Sequence, residues 1–187
     1  MIPLSNISSS LVVSKTLTMK TMARIIYLVI SFVLTIPVLS SGNPEGKEIR
    51  VLNFDQLEPS LHLSNDTVYL VNFWATWCAP CVAELPAIKA VEKKYSHKKI
   101  KVILVSLDLP AQLKSRLIPF VRTNQITSEV ILLDDPNQNR WIDKVDKEWS
   151  GEIPFTMIYG KNFRDSYTTP LSFKTLDSII NRKIKLP

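Results

Sequence analysis

Two apolar, β-branched runs bracket a segment of a different period, and this alternation restricts the folds open to the chain more than any other feature. Val68 to Phe73 (VYLVNF) and Ile100 to Leu107 (IKVILVSL) read as buried strands. Between them Cys78, Cys81, Leu85, Ile88, Val91 and Tyr95 recur at steps of three and four, the single apolar stripe of a helix over 79–95. Pro80 suits the first turn of that helix, and Pro86 is expected to bend it. A buried strand, a helix and a second buried strand form a crossover unit with parallel strands. Downstream, Ala111–Gln125 reads as a helix bent or interrupted at Pro119, Val130–Leu133 as a short strand and Trp141–Trp149 as a short helical piece. Phe155–Tyr159 reads as another strand and Ser172–Arg182 as a last helix with Ser172 at its N-cap. Val51–Phe54 is read as an edge strand. The expected class is α/β, a central mixed β-sheet flanked by helices.

Domain organisation follows from size and from where the charge sits. At 187 residues, 45% hydrophobic and 21% charged, the chain has the composition of one globular domain, which excludes a disordered or collagen-like chain. The net charge of +6 divides evenly: residues 1–42 carry Lys15, Lys20 and Arg24 and no acid, leaving 20 basic against 17 acidic residues in the rest. A domain at +3 gives no reason to expect a nucleic-acid partner. The cluster Lys93, Lys94, Lys98 and Lys99 reads as favourable charge on a solvated helix C-terminus.

Residues 25–39 (IIYLVISFVLTIPVL) hold no charge, follow Lys20 and Arg24, and lead into Ser40-Ser41-Gly42. A basic start, a short apolar run and small residues at its exit describe a secretory signal peptide. Fifteen helical residues reach about 22 Å, short of the roughly 30 Å hydrocarbon core. An uncleaved membrane anchor through residues 25–39 is the second reading. No cysteine stands near the exit to take a lipid, and residues 1–18 read as surplus before a start at Met19 or Met22. The expected division is 1–42 as extension plus signal peptide or anchor, 43–47 as linker and 48–187 as one domain. Export to the periplasm or cell envelope would place the two cysteines in an oxidising compartment.

Those cysteines lie in Trp77-Cys78-Ala79-Pro80-Cys81, after a strand and at the start of a helix. A purely structural disulfide between residues three apart closes almost no loop and gains little. A zinc site needs more ligands, and His62 and His97 sit in a polar loop and a lysine-rich helix end. Reversible dithiol chemistry suits the position better. A helix N-terminus stabilises a thiolate at Cys78, while Cys81, one turn inside, is placed to resolve a mixed disulfide.

The run Asn72-Phe73-Trp74-Ala75-Thr76-Trp77-Cys78-Ala79-Pro80-Cys81-Val82-Ala83-Glu84-Leu85-Pro86 resembles the thioredoxin superfamily, and within it the exported TlpA/ResA-like thiol–disulfide oxidoreductases. Gly151-Glu152-Ile153-Pro154-Phe155-Thr156 resembles the segment in which that family sets a cis-proline against its cysteines. The resemblance implies a thioredoxin-like fold, Cys78 as attacking thiolate and Cys81 as resolving thiol. It implies substrate contacts from Trp77, Ala79, Pro80, Ile153 and Pro154, with Ile153 presenting its backbone to an extended segment. Thioredoxin itself carries a buried aspartate six residues before its first cysteine, where this chain has Asn72, and an amide cannot take a proton. Glu84 matches an acid of the TlpA/ResA-like group and is the expected proton acceptor for Cys81, against the plainer reading of an exposed helix glutamate. The stretch from Asp108 to Pro154 is longer than a minimal thioredoxin needs.

The expected activity is therefore disulfide exchange with other envelope proteins, in the reducing direction, with cytochrome c maturation as one purpose. Disulfide-bearing proteins would be the substrates and a membrane thiol carrier the electron donor. No cofactor or metal is expected beyond the Cys78–Cys81 couple. Two alternatives use the same fold. A thiol peroxidase would place threonine three residues before its attacking cysteine, where Ala75 stands. A copper chaperone would add a histidine ligand to the two thiolates.

Overall fold

A computed structural model describes residues 48–185. The segments read above as leader and linker, 1–42 and 43–47, lie outside the described residues. Six strands, β1 (Arg50–Leu52), β2 (Val68–Trp74), β3 (Ile100–Ser106), β4 (Glu129–Leu133), β5 (Phe155–Gly160) and β6 (Phe163–Tyr167), form one sheet in the order β1-β4-β3-β2-β5-β6. Five helices accompany them: α1 (Phe54–Leu57), α2 (Ala79–Lys94), α3 (Ile118–Thr123), α4 (Gln138–Val145) and α5 (Phe173–Lys183). The first four strands in that order pair in parallel, and β5 and β6 add antiparallel pairs.

All seven residues of β2 are buried, because the strand is covered on both faces. Its period of two assigns Val68, Leu70 and Trp74 to one core and Tyr69, Val71 and Phe73 to the other. On the first face they meet Leu85, Ile88 and Val91 of α2 and Leu176, Ile179 and Ile180 of α5. On the second they meet Phe54, Leu57, Trp141, Val145 and Trp149. Burying each large apolar side chain is worth about 1.5–3 kcal/mol, so a two-sided sheet gathers enough of them to offset ordering the chain.

The mixed α/β sheet expected from the sequence is the one observed, with differences at the margins. The segment expected as one helix over 111–125 is instead a 3₁₀ turn (Pro110–Gln112), a π-type turn (Leu113–Leu117) and α3. The widened turn ends where Pro119 enters the first turn of α3, a position at which its missing N–H has no partner to lose. The helical piece expected at 141–149 begins earlier, as α4, and ends before Trp149. Pro86, expected to bend α2, lies inside the continuous helix on its exposed side. The edge strand expected at 51–54 is β1, one residue earlier, and Phe54 turns inward as the first residue of α1. Neither α1 nor β6 was expected. The alternation of β6 is polar and half-exposed, FRDSY, as an edge strand's can be. Ser172 caps α5 as expected, accepting from the Thr175 N–H at 3.2 Å.

Ile88 is fully buried between α2 and the sheet. Ile88→Ala should cost about 2–5 kcal/mol, seen as a lower urea midpoint at unchanged slope.

Candidate functional site: a disulfide at a helix N-terminus

The three residues after β2 turn the chain so that α2 begins at the C-terminal end of the parallel strands, where α/β sheets place their sites. Cys78 is the N-cap of α2, and its Sγ accepts the backbone N–H of Cys81 at 3.3 Å. A sulfur thus occupies the position where serine or aspartate usually stands, with the positive end of the helix dipole beneath it. Pro80 lies in the first turn, where no helical bond is lost, and with Ala79 it is exposed. Cys78 and Cys81 are joined as a disulfide, Cys78 6% exposed and Cys81 fully buried. Cys78 keeps a small exposed fraction and Cys81 none, an asymmetry that suits exchange with an outside disulfide.

A loop from the far side of the sheet closes over the pair. Gly151, at φ +97°, makes a turn no side chain fits comfortably, since a Cβ there would lie 2.9 Å from Ile142 Cδ1. The Trp149 indole N–H donates to the Glu152 carbonyl at 2.7 Å and stacks on Phe155, fixing the loop from inside. The Ile153–Pro154 peptide is cis, and the Ile153 carbonyl oxygen lies 3.7 Å from Cys78 Sγ. Trp77 is 55% exposed beside the pair, whereas Trp74 is buried and packs on Phe120.

Beneath the disulfide lies a polar group inside the first core. Asn72 faces α2 because it shares the side of Leu70 and Trp74, and the β2–β5 register sets it opposite Thr156. Its amide donates to Thr156 Oγ1 at 2.8 Å and to Glu84 Oε2 at 3.3 Å. Glu84, one helical turn after Cys81, also accepts the Leu171 N–H at 2.9 Å, with Thr156 Oγ1 3.5 Å from Oε1. Glu84 is 2% exposed, so the exposed-glutamate reading does not hold. Burial pushes its carboxyl above the usual range, and the bonds from Leu171, Asn72 and Thr156 pull only partly back.

The structure therefore brings Cys78, Cys81 and Glu84 into one neighbourhood with Ile153 and Pro154, and Trp77 stands exposed next to Cys78.

 Ala79 and Pro80 lie on the exposed first turn of α2, next to both cysteines in the chain. His62 and His97 are exposed, and His97 follows the far end of α2, whose sixteen residues span about 24 Å. Among the described residues no group of three or more His, Cys, Asp or Glu is gathered as a metal site. Sequence reasoning missed two contributors. Thr156 stood in the quoted motif without a role, and Asp108 served only to mark a boundary. Asp108 is 2% exposed and accepts from Thr76, two residues before Cys78. The signal available was a polar residue just beyond a buried strand, in Ser106-Leu107-Asp108.

Comparison with known proteins fits this geometry. Thioredoxin-like protein YneN of Bacillus subtilis is 33% identical over 94 residues, 49% of this chain and 55% of that protein. Thiol-disulfide oxidoreductase ResA of Oceanobacillus iheyensis is 46% identical over 39 residues, 21% of this chain and 20% of its own length. The chain thus matches about half, or less, of the length of these curated relatives. Among solved structures, a thiol:disulfide interchange protein of the thioredoxin family from Chlorobium tepidum superposes with a TM-score of 0.55 at 23% identity, covering 68% of this chain and 84% of that one. A secreted thiol-disulfide isomerase from Corynebacterium glutamicum gives 0.55 at 18% identity, over 65% and 73%. The fold is thioredoxin-like. Residues 47–163 match the AhpC/TSA family, and the chain belongs to it.

Proposed function

We propose that the protein is a thiol–disulfide oxidoreductase that reduces disulfides of other exported proteins. The observation that carries this reading is the Cys78–Cys81 disulfide at the first turn of α2, with the Cys81 N–H directed at Cys78 Sγ. In the reduced protein the Cys78 thiolate attacks one sulfur of a substrate disulfide, forming a mixed disulfide and releasing one substrate thiolate. Cys81, its proton taken by Glu84, then attacks Cys78 Sγ and releases the second. The substrate gains two electrons and leaves as two thiolates, which take their protons from solvent, and Cys78–Cys81 is left oxidised. An outside thiol donor must return two electrons, a role suited to a membrane thiol carrier. The couple is the redox group, so no further cofactor enters. The substrate segment would lie across Trp77, Ala79 and Pro80 and along the backbone at Ile153 and Pro154.

The names of YneN and ResA support the chemistry. Export, to the periplasm or envelope, rests on the charge and apolar pattern of residues 20–42, and cytochrome c maturation on the TlpA/ResA-like motif. Among the described residues no helix is long and apolar enough to cross a membrane.

Cys81→Ser should trap mixed disulfides on Cys78, and Cys78→Ser should trap none; capture through Cys81 would reverse the two roles. Equilibration with thiol buffers should give a potential nearer about −270 mV than about −120 mV, the second value marking a disulfide donor. The folded Glu84 carboxyl binds its proton more tightly than the unfolded one. Between the two pKa values the unfolded chain therefore holds fewer protons, and stability falls as pH rises through that window. Glu84→Gln should flatten this fall in urea titrations across pH and slow substrate reduction. An unchanged pH slope would remove Glu84 from the buried proton-binding role.

A further inference from the structure

Asp108 is a buried carboxylate that the exchange steps do not use. The parallel register sets Trp74 beside Ser106, and the Leu107 N–H continues the ladder to the Trp74 carbonyl at 2.8 Å. Two residues further along each chain, Thr76 and Asp108 meet. Asp108 Oδ2 accepts the Thr76 N–H at 3.0 Å and the Ser106 hydroxyl at 2.8 Å, while Oδ1 accepts the Thr76 hydroxyl at 2.5 Å. The Asp108 N–H donates back to Ser106 Oγ at 3.1 Å. Both oxygens are thus committed to the link between the end of β3 and the turn that carries Cys78. The turn has one further backbone tie, the Cys78 N–H on the Ala75 carbonyl at 3.1 Å.

We propose that Asp108 is a positioning residue for the redox pair: it braces Thr76 against the end of β3 and so holds Cys78 Sγ over the first turn of α2. The inference rests on the reading of the pair as an exchange couple. A sulfur at an N-cap gains from the helix only while it stays aligned with the N–H of Cys81. The carboxylate fixes the residue two before it from a neighbouring strand, which the turn's own backbone cannot do. Shape does this work, not charge. An asparagine with its oxygen at the Oδ2 position keeps the bonds from the Thr76 N–H and the Ser106 hydroxyl. Its NH₂ then faces Thr76 Oγ1, which changes from donor to acceptor.

The test uses the whole chain with Cys81→Ser, so that Cys78 is the one thiol. Alkylation by iodoacetamide reads the brace, and exchange with glutathione disulfide reads the redox function. Asp108→Ala should lower both rates about tenfold, within the range a small misplacement of a reacting group costs. Thr76→Val, which keeps the N–H bond, should fall between parent and Asp108→Ala. Asp108→Asn should match or exceed the parent. A thermal melt of each variant checks that it is folded at the assay temperature. An Asp108→Asn rate as low as that of Asp108→Ala would overturn the proposal in favour of charge. A folded Asp108→Ala as fast as the parent would overturn it in favour of a role in stability alone. If Asp108→Ala does not fold, a Thr76→Val rate equal to the parent's overturns it. A parent that alkylates but does not exchange with glutathione disulfide would instead sink the functional reading, and alkylation would still decide the brace.

Discussion

The register of β2 within the sheet is the constraint from which the candidate site follows. Pairing with β3 sets Trp74 beside Ser106, so the two chains leave the sheet together and Thr76 meets Asp108. Pairing with β5 sets Phe73 opposite Phe155, which carries the preceding Pro154 to the disulfide, and Asn72 opposite Thr156. A slip of one residue would turn Asn72 toward the aromatic core of Phe73, Trp141 and Trp149, and would put Phe73 against Glu84. Either exchange leaves a polar group without partners in an apolar setting, at a cost of about 1–3 kcal/mol each. The polar groups of the site thus help select the register that assembles it.

How much of this was legible in the sequence depends on whether a residue's role is set locally or across the sheet. The strands β2 and β3, helix α2 and the N-cap position of Cys78 follow from apolar period and from proline placement, which are local. The cap at Ser172 is local too. The polar edge strand β6 carries no apolar alternation to announce it, and its place is set by pairing Phe163–Tyr167 with β5. The π-type turn at Leu113–Leu117 precedes a single proline that sequence reading could place only as a bend or an interruption. Asp108 was invisible as a partner of Thr76, because 32 residues separate them and only the parallel register brings them together. Glu84 could be assigned to the site from the motif, but its burial depends on Thr156 and Leu171, 72 and 87 residues away.

The buried Glu84 also explains why an amide suffices at Asn72. Two carboxyls facing each other beneath the disulfide would repel when both ionise, raising the proton affinity of one well beyond what burial alone does. With Asn72 as a donor to Glu84 Oε2, one carboxyl remains, and its partners are a backbone N–H, an amide and a hydroxyl at the edge of bonding range. Those donors favour the ionised form and desolvation the neutral one, with desolvation the larger. A carboxyl balanced in that way holds a proton at higher pH than an exposed glutamate does, while its donors stay in place to stabilise the ionised form once the proton leaves. Proton exchange near neutral pH asks for a group whose affinity lies closer to that range than an ordinary carboxylate's. The chain moves Glu84 in that direction with one acid and one amide, placed by strand register on one side and by a helical step of three from Cys81 on the other.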